Sequence, residues 1–298
     1  MPSLQIAAYS AYAKAFIRPK FSGNGTVAGL RRMAASMDAW APRVKVVPVP
    51  LAHCEAEWIA TSHATSDRVM LYLPGGGFIM RTPRMHRYLA ATLARVARAR
   101  AQVVFYRLAP EHPFPAGLED ALAAYERLLD EGIDPARIVV GGDSAGGALT
   151  LSMLLALRDA GRPLPAGAFG LSASADLRRW SKRGTAPGAP PDVMFPDTAN
   201  VAVDTLVYVA GDEDMLEDPL VSPALGNFRG LPPLFLQAGS EETLCYDARE
   251  VARRASAAGV DVQLEIWEKM PHVWHAMRAP ESDRAIAHVG DFVRRCCP

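Results

Sequence analysis

Gly141-Gly142-Asp143-Ser144-Ala145-Gly146-Gly147 follows the short β-branched run Ile138-Val139-Val140 and opens an apolar, alanine-rich stretch, Ala145–Leu157. Gly142 to Gly146 fits G-x-S-x-G between a predicted strand and a predicted helix, the context that gives this pattern meaning. A chain that turns directly from strand into helix leaves almost no room for side chains around the bend. Gly142, Gly146 and Gly147 supply that room, Ala145 is small, and the bend lifts the Ser144 hydroxyl above the sheet edge. The helix start behind it offers N–H groups without intrahelical acceptors and the positive end of a dipole, so the Ala145 N–H can bind a developing oxyanion. A phosphate-binding loop of the Walker type needs Gly-Lys followed by Ser or Thr, which is absent.

Working outward from this bend, apolar runs alternate with helical patterns. Lys45–Val49 and Glu55–Ala60 are close enough to pair antiparallel; Val69–Leu73, Gln102–Tyr106, Ala168–Leu171, Leu234–Gln237 and Val262–Trp267 follow. Helical stretches lie between them at Arg87–Arg98, Leu118–Leu129, Ala145–Leu157 and Asp247–Ala258, and a last one carries Ala285, Ile286, Val289, Phe292 and Val293 at a 3.6 period. Such alternation predicts an α/β fold, a mostly parallel sheet with helices on both faces. Two regions stand outside it. Residues 1–43 precede the first strand and are helical in pattern; residues 176–205, inserted in the catalytic region 44–298, contain Ala-Pro-Gly-Ala-Pro-Pro. Together they read as a small cap over the carboxyl edge of the sheet, where open α/β folds bind ligands.

A second glycine loop, Pro74-Gly75-Gly76-Gly77-Phe78, follows Val69–Leu73. Glycines there let the backbone approach a substrate oxygen and aim N–H groups at it. A serine nucleophile needs a base, usually His, held by a carboxylate, with the chain order serine, acid, histidine. Of the histidines downstream, His288 falls within the last helix, whereas His272 and His275 sit in Met-Pro-His-Val-Trp-His just past Val262–Trp267. His272, first after the strand, is the predicted base. Two histidines three apart with no third ligand do not suggest a metal site. For the acid, Glu241 and Glu242 follow Leu234–Gln237, with Asp247 shortly after; Asp212 and Asp214 follow Leu206–Val209 in a similar pattern. Position favours the Glu241/Glu242 loop, because it precedes the strand that leads to His272.

The chain of 298 residues carries 32 Lys plus Arg and 32 Asp plus Glu, so no overall field favours nucleic acid or an anionic membrane, and a small neutral substrate is expected. The four cysteines, Cys54, Cys245, Cys296 and Cys297, have neither metal-site nor disulfide-framework spacing, which suggests free thiols in a reducing compartment. Met1–Arg18 lacks a signal-peptide pattern and no apolar run reaches the ~20 residues of a membrane span, so a cytoplasmic protein is expected.

Several longer motifs give the chain a family resemblance: Tyr-Leu-Pro-Gly-Gly-Gly-Phe (72–78), Tyr-Arg-Leu-Ala-Pro-Glu-His-Pro-Phe-Pro-Ala (106–116), Asp-Ala-Leu-Ala-Ala-Tyr (120–125), Gly-Asp-Ser-Ala-Gly-Gly (142–147), Gly-Leu-Pro-Pro-Leu (230–234) and His-Val-Trp-His (272–275). From Val69 to Phe292 the chain resembles hormone-sensitive-lipase-type (bacterial family IV) carboxylesterases of the α/β-hydrolase fold. The resemblance implies Ser144 as nucleophile, His272 as base and Glu242 as acid, with the N–H groups of Gly76, Gly77 and Ala145 as an oxyanion hole. It further implies hydrolysis of short-chain acyl esters through an acyl-enzyme, no cofactor, and a homodimer through the last strand and C-terminal helix. Two positions depart from the pattern: Pro74 stands where the family's glycine loop begins with His, and Leu171-Ser172-Ala173 stands where Leu-Ser-Pro is common, a change expected to alter the pocket. The rival readings are an amidase or deacetylase using the same three residues, and a non-catalytic ligand-binding receptor on this fold, which would lack the histidine present here at 272.

Overall fold

The strand that leads into the serine bend, β5 (Ile138–Asp143), lies at the centre of an eight-stranded sheet. The others are β1 (Val46–Pro50), β2 (Glu55–Ile59), β3 (Val69–Leu73), β4 (Arg100–Phe105), β6 (Gly167–Leu171), β7 (Leu234–Gly239) and β8 (Val262–Trp267). The order is β1-β2-β4-β3-β5-β6-β7-β8; β1/β2 and β2/β4 pair antiparallel and every other pair is parallel. This computed structural model describes residues 1–21, 26–60, 66–178, 192–195 and 206–298.

A parallel sheet covered on both faces buries consecutive residues in opposite directions. In β3, Val69, Leu71 and Leu73 enter one core with Leu118 and Tyr125 of α5 (Ala116–Asp130) and Leu149 and Met153 of α6 (Ser144–Asp159). Met70 and Tyr72 enter the opposite core with Leu89 and Leu93 of α4 (Pro83–Ala97) and Ile286 and Val289 of the C-terminal helix (Pro280–Cys296). Val251 and Ala255 of α7 (Cys245–Ala257) join Leu151 and Leu154 on the α6 side. The C-terminal helix, α8, crosses α4 closely: a Cβ on Gly290 would lie 2.9 Å from the Val96 carbonyl carbon.

Ahead of the sheet, α1 (Leu4–Tyr12), a π-helical turn (Ala13–Ile17), α2 (Arg18–Phe21) and α3 (Val27–Asp38) form the N-terminal helices. Ala13, Ile17, Phe21 and Leu30 pack with Ile79 and Ala109, and Met194 and Phe195 close the same cluster. Arg31 of α3 holds this layer down: it pairs with Glu111 in two 2.7 Å hydrogen bonds and donates to the carbonyls of Ile79 and Ala109. Of the insertion expected at 176–205, residues 179–191 and 196–205 lie outside the described residues. Residues 206–208, in the run whose following acidic loop resembles the one after Leu234–Gln237, are helical.

The sharpest steric demand is at the bend. A Cβ on Gly146 would sit 1.9 Å from the Leu73 carbonyl oxygen and 2.6 Å from that of Pro74, both backbone atoms that cannot move aside alone. By contrast, a Cβ on Gly132 meets nothing within 4 Å, although its φ of +82° still disfavours a side chain. Gly146→Ala should therefore destabilise the chain by about 3 kcal/mol or more and Gly132→Ala by only about 1 kcal/mol, as urea unfolding would measure.

Candidate active site

β5 passes into α6 with no intervening loop, and Ser144 adopts φ +50° at the junction. A left-handed conformation at a non-glycine residue costs on the order of 1–3 kcal/mol and persists only where the surroundings impose it. Here they do. The Gly142–Gly147 backbone is wedged beneath Leu73, and the Ser144 carbonyl accepts the Ser174 N–H at 3.1 Å.

The neighbouring Asp143, nearly fully buried, ties this bend to the glycine loop. Its Oδ1 accepts the Tyr72 hydroxyl at 2.6 Å and the Gly75 N–H at 3.0 Å, and its Oδ2 faces His86 Nε2 at 3.4 Å. Burial favours the neutral acid, but the His86 ring and these donors outweigh it, so the carboxyl titrates below its ordinary range. The other end of the loop is held by the Tyr106 hydroxyl, which donates to the Pro74 carbonyl at 2.7 Å. Gly76 (φ +126°) turns so tightly that a Cβ would lie 2.2 Å from the Met80 carbonyl oxygen. The loop that starts with Pro74 instead of His is thus ordered through Asp143 and Tyr106. Gly76, Gly77 and Ala145 line the same cavity as Ser144 and His272.

His272 lies between the serine and a carboxylate. Its Nε2 is 3.0 Å from Ser144 Oγ and its Nδ1 is 2.6 Å from Glu242 Oε2. A carboxylate only accepts, so Nδ1 carries the proton and Nε2 is left to accept from the serine hydroxyl. Burial works against a charge on His272, but the hydrogen bond and charge of Glu242, with Asp192 and Asp143 farther off, prevail and raise its pKa above the usual imidazole value. The Phe195 ring packs edge-on at 5.1 Å.

Glu242 is completely buried, and its second oxygen is also engaged: Oε1 accepts the Ser172 hydroxyl and the Gly239 N–H, both at 2.7 Å. Ser172 Oγ in turn accepts the Val273 N–H at 3.2 Å, so one hydroxyl joins the acid to the residue after His272. Ser172 has φ +51°, and its own N–H donates to the Gln237 carbonyl at 2.7 Å. Sequence reasoning assigned the Leu171-Ser172-Ala173 departure to pocket shape. In the structure neither Ser172 nor Ala173 lines the cavity, and Ser172 braces the carboxylate. Asp192 is a second residue that the sequence did not reveal. Its Oδ2 accepts both the N–H and the hydroxyl of Thr243 at 2.8 Å, while its Oδ1 accepts the N–H groups of Met194 and Phe195.

The remaining candidates lie elsewhere. His275 is buried with Nε2 3.0 Å from Gln237 Oε1, and burial lowers its pKa to about 3. His288 pairs with Glu265 near the surface. Asp212 and Asp214 are exposed, and Asp247 accepts the N–H groups of Ala175 and Asp176. Among the described residues no group of three or more His, Cys, Asp or Glu could hold a metal ion.

Above the serine opens a cavity of about 240 Å³. Methionines 33, 37, 80, 85, 194 and 277 line it with Tyr9, Ile17, Phe21 and Phe195. Flexible thioether side chains make such a wall apolar yet adaptable in shape.

Residues 70–276 match the family described as the alpha/beta hydrolase fold. An acetyl-hydrolase of Streptomyces hygroscopicus is 43% identical over 248 residues, covering 83% of this chain and 81% of that one. The crystal structure of an esterase from the bacterial hormone-sensitive lipase family superposes with a TM-score of 0.88 at 36% identity over 100% of both chains. That of the esterase EstE5 soaked with p-nitrophenyl butyrate gives 0.87 at 35% identity over 99% of each. The chain belongs to the hormone-sensitive-lipase-type carboxylic ester hydrolases of the α/β-hydrolase fold.

Ser172 donates a charge-assisted hydrogen bond to a buried carboxylate, an interaction of about 1.5–3 kcal/mol. Ser172→Ala should accordingly lower kcat by about tenfold or more with KM little changed, as steady-state hydrolysis of a soluble p-nitrophenyl ester would show.

Proposed function

We propose that the chain is a serine carboxylesterase for short-chain acyl esters, with Ser144 as nucleophile, His272 as general base and Glu242 as the acid that orients it. The continuous hydrogen-bonded row from Ser144 Oγ through His272 to Glu242, at 3.0 and 2.6 Å beneath an apolar cavity, carries this reading. Ser144 Oγ attacks the ester carbonyl as His272 Nε2 takes its proton, and Glu242 stabilises the imidazolium. The N–H groups of Gly76, Gly77 and Ala145 receive the oxyanion; each donor of this kind is worth about 10²–10³ in rate. Collapse expels the alcohol with the proton from His272 and leaves Ser144 acylated. Water then attacks while His272 removes its proton, and the carboxylic acid departs as Ser144 regains its hydrogen. No step calls on a metal or organic cofactor.

Tyr9, Ile17, Phe21, Met33 and Met37 from the N-terminal helices, with Leu177, Met194 and Phe195, cap the cavity, and the small apolar chamber suits a neutral substrate with a short acyl group. The acetyl-hydrolase relative and the butyrate ester soaked into EstE5 crystals support that range. Across p-nitrophenyl esters of increasing acyl length, kcat/KM should peak at about four to six carbons and decline for long chains, with the matched amides far slower; the cavity's limited volume sets the upper bound.

Ser144→Ala should abolish turnover without altering the fold. Glu242→Gln should lower kcat by up to about 10⁴, while Glu241→Gln and Asp212→Asn leave it near wild type. Because His272 must be neutral to accept a proton and its pKa is raised, kcat/KM should fall as pH drops through a midpoint above the ordinary imidazole value of about 6.5. Glu242→Gln removes the charge that raises it, so the residual activity should show that midpoint at lower pH.

A further inference from the structure

The outward surface of α1 and the π-helical turn is largely apolar. Inward, Ile6, Ala13 and Ile17 are buried. Outward, Leu4 is 87%, Tyr12 49% and Phe16 61% exposed, and Ala7, Ala8, Ala11 and Ala15 between them are exposed as well. The Tyr12 and Phe16 rings lie side by side with centroids 5.2 Å apart. A helix at a protein surface normally turns a polar face to water. This one turns an apolar stripe, interrupted mainly by Gln5 and flanked by the exposed Lys14.

Charge indicates what covers that stripe. The chain as a whole is neutral, yet residues 1–37 contain Lys14, Arg18, Lys20, Arg31 and Arg32 and no acidic residue; Asp38 is the first. Arg31 is committed to Glu111 and Arg18 to the Asp192 carbonyl, whereas Lys14 and Arg32 are exposed. A second copy of the chain placed here would bring the same positive segment against itself. A surface both anionic and apolar would satisfy the cations and the stripe together.

We propose that α1 and the π-helical turn dock, lying in the plane of the interface, on an anionic phospholipid surface, with Leu4, Tyr12 and Phe16 inserted and Lys14 at the headgroups. No helix among the described residues is long and apolar enough to cross a membrane, so the association is peripheral. Tyr9 and Ile17, on the inner side of the same segment, line the substrate cavity. Docking would therefore set the cavity beside a lipid phase into which apolar esters partition. This proposal stands independently of which residues perform the chemistry.

Flotation of the full chain with vesicles tests it. Vesicles of equimolar phosphatidylglycerol and phosphatidylcholine should carry the chain at low salt and release most of it at high salt, and pure phosphatidylcholine vesicles should carry little. The double variant Leu4→Glu/Phe16→Glu should cut the vesicle-bound fraction about tenfold, and Lys14→Glu should weaken it too. Neither residue lines the cavity, so hydrolysis of a soluble ester and the thermal midpoint should be unchanged in the double variant, separating lost docking from lost fold. Absence of binding to the anionic vesicles, equal binding to both vesicle types, or unchanged binding of the double variant would overturn the proposal. So would a dimer in light scattering that the same substitutions dissolve without any vesicle binding, which would assign the stripe to a second copy.

Discussion

The close passage of the Gly142–Gly147 backbone beneath the Leu73 carbonyl is the constraint on which the site depends. At Gly146 no side chain fits, because a Cβ there would fall 1.9 Å from a backbone oxygen. That contact locks the start of α6 against the end of β3 and forces Ser144 into a left-handed conformation at the sheet edge. It also brings the glycine loop, which continues directly from β3, beside the serine. One contact between two chain segments thus sets the conformation of the proposed nucleophile and the place of its proposed oxyanion donors.

Two buried carboxylates then hold the two sides of the site. Asp143 holds the glycine loop through the Gly75 N–H and the Tyr72 hydroxyl; Glu242 holds His272, with Ser172 and Gly239 engaging its other oxygen. A buried carboxylate is costly unless its oxygens accept hydrogen bonds. Each carboxylate is surrounded by donors drawn from separate strands and loops, so its position is determined by the whole sheet edge. This explains how a loop beginning with Pro74 can be ordered without the histidine usual in the family: the constraint comes from Asp143 on one side and Tyr106 on the other.

Legibility in the sequence followed the range of the interactions. The strands and helices could be read because short apolar runs such as Val69–Leu73 alternate with stretches at a 3.6 period such as Ala285–Val293, and the serine bend because its glycines are adjacent in the chain. The order serine, acid, histidine narrowed the acid to one loop but did not decide between Glu241 and Glu242; the family resemblance pointed to Glu242, which is the one buried against His272. What stayed hidden was long-range. The hydrogen bond from Ser172 to Glu242 spans 70 residues and the Arg31–Glu111 pair spans 80, and neither leaves a periodic or spacing signal. Leu206–Val209, which precedes an acidic loop much as Leu234–Gln237 does, begins as helix, because a few apolar residues carry no distinguishing period. The charge segregation of residues 1–37 was visible throughout but vanished in the whole-chain balance of 32 against 32.

Reaction with a small fluorophosphonate followed by mass-spectrometric mapping of the adduct, in the wild-type chain and in His272→Ala, tests the central claim most directly. The account predicts a single adduct on the peptide containing Ser144, formed at a rate that falls as His272 becomes protonated and that collapses when His272 is removed. An adduct on another residue, or labelling of Ser144 at an undiminished rate without His272, would contradict it.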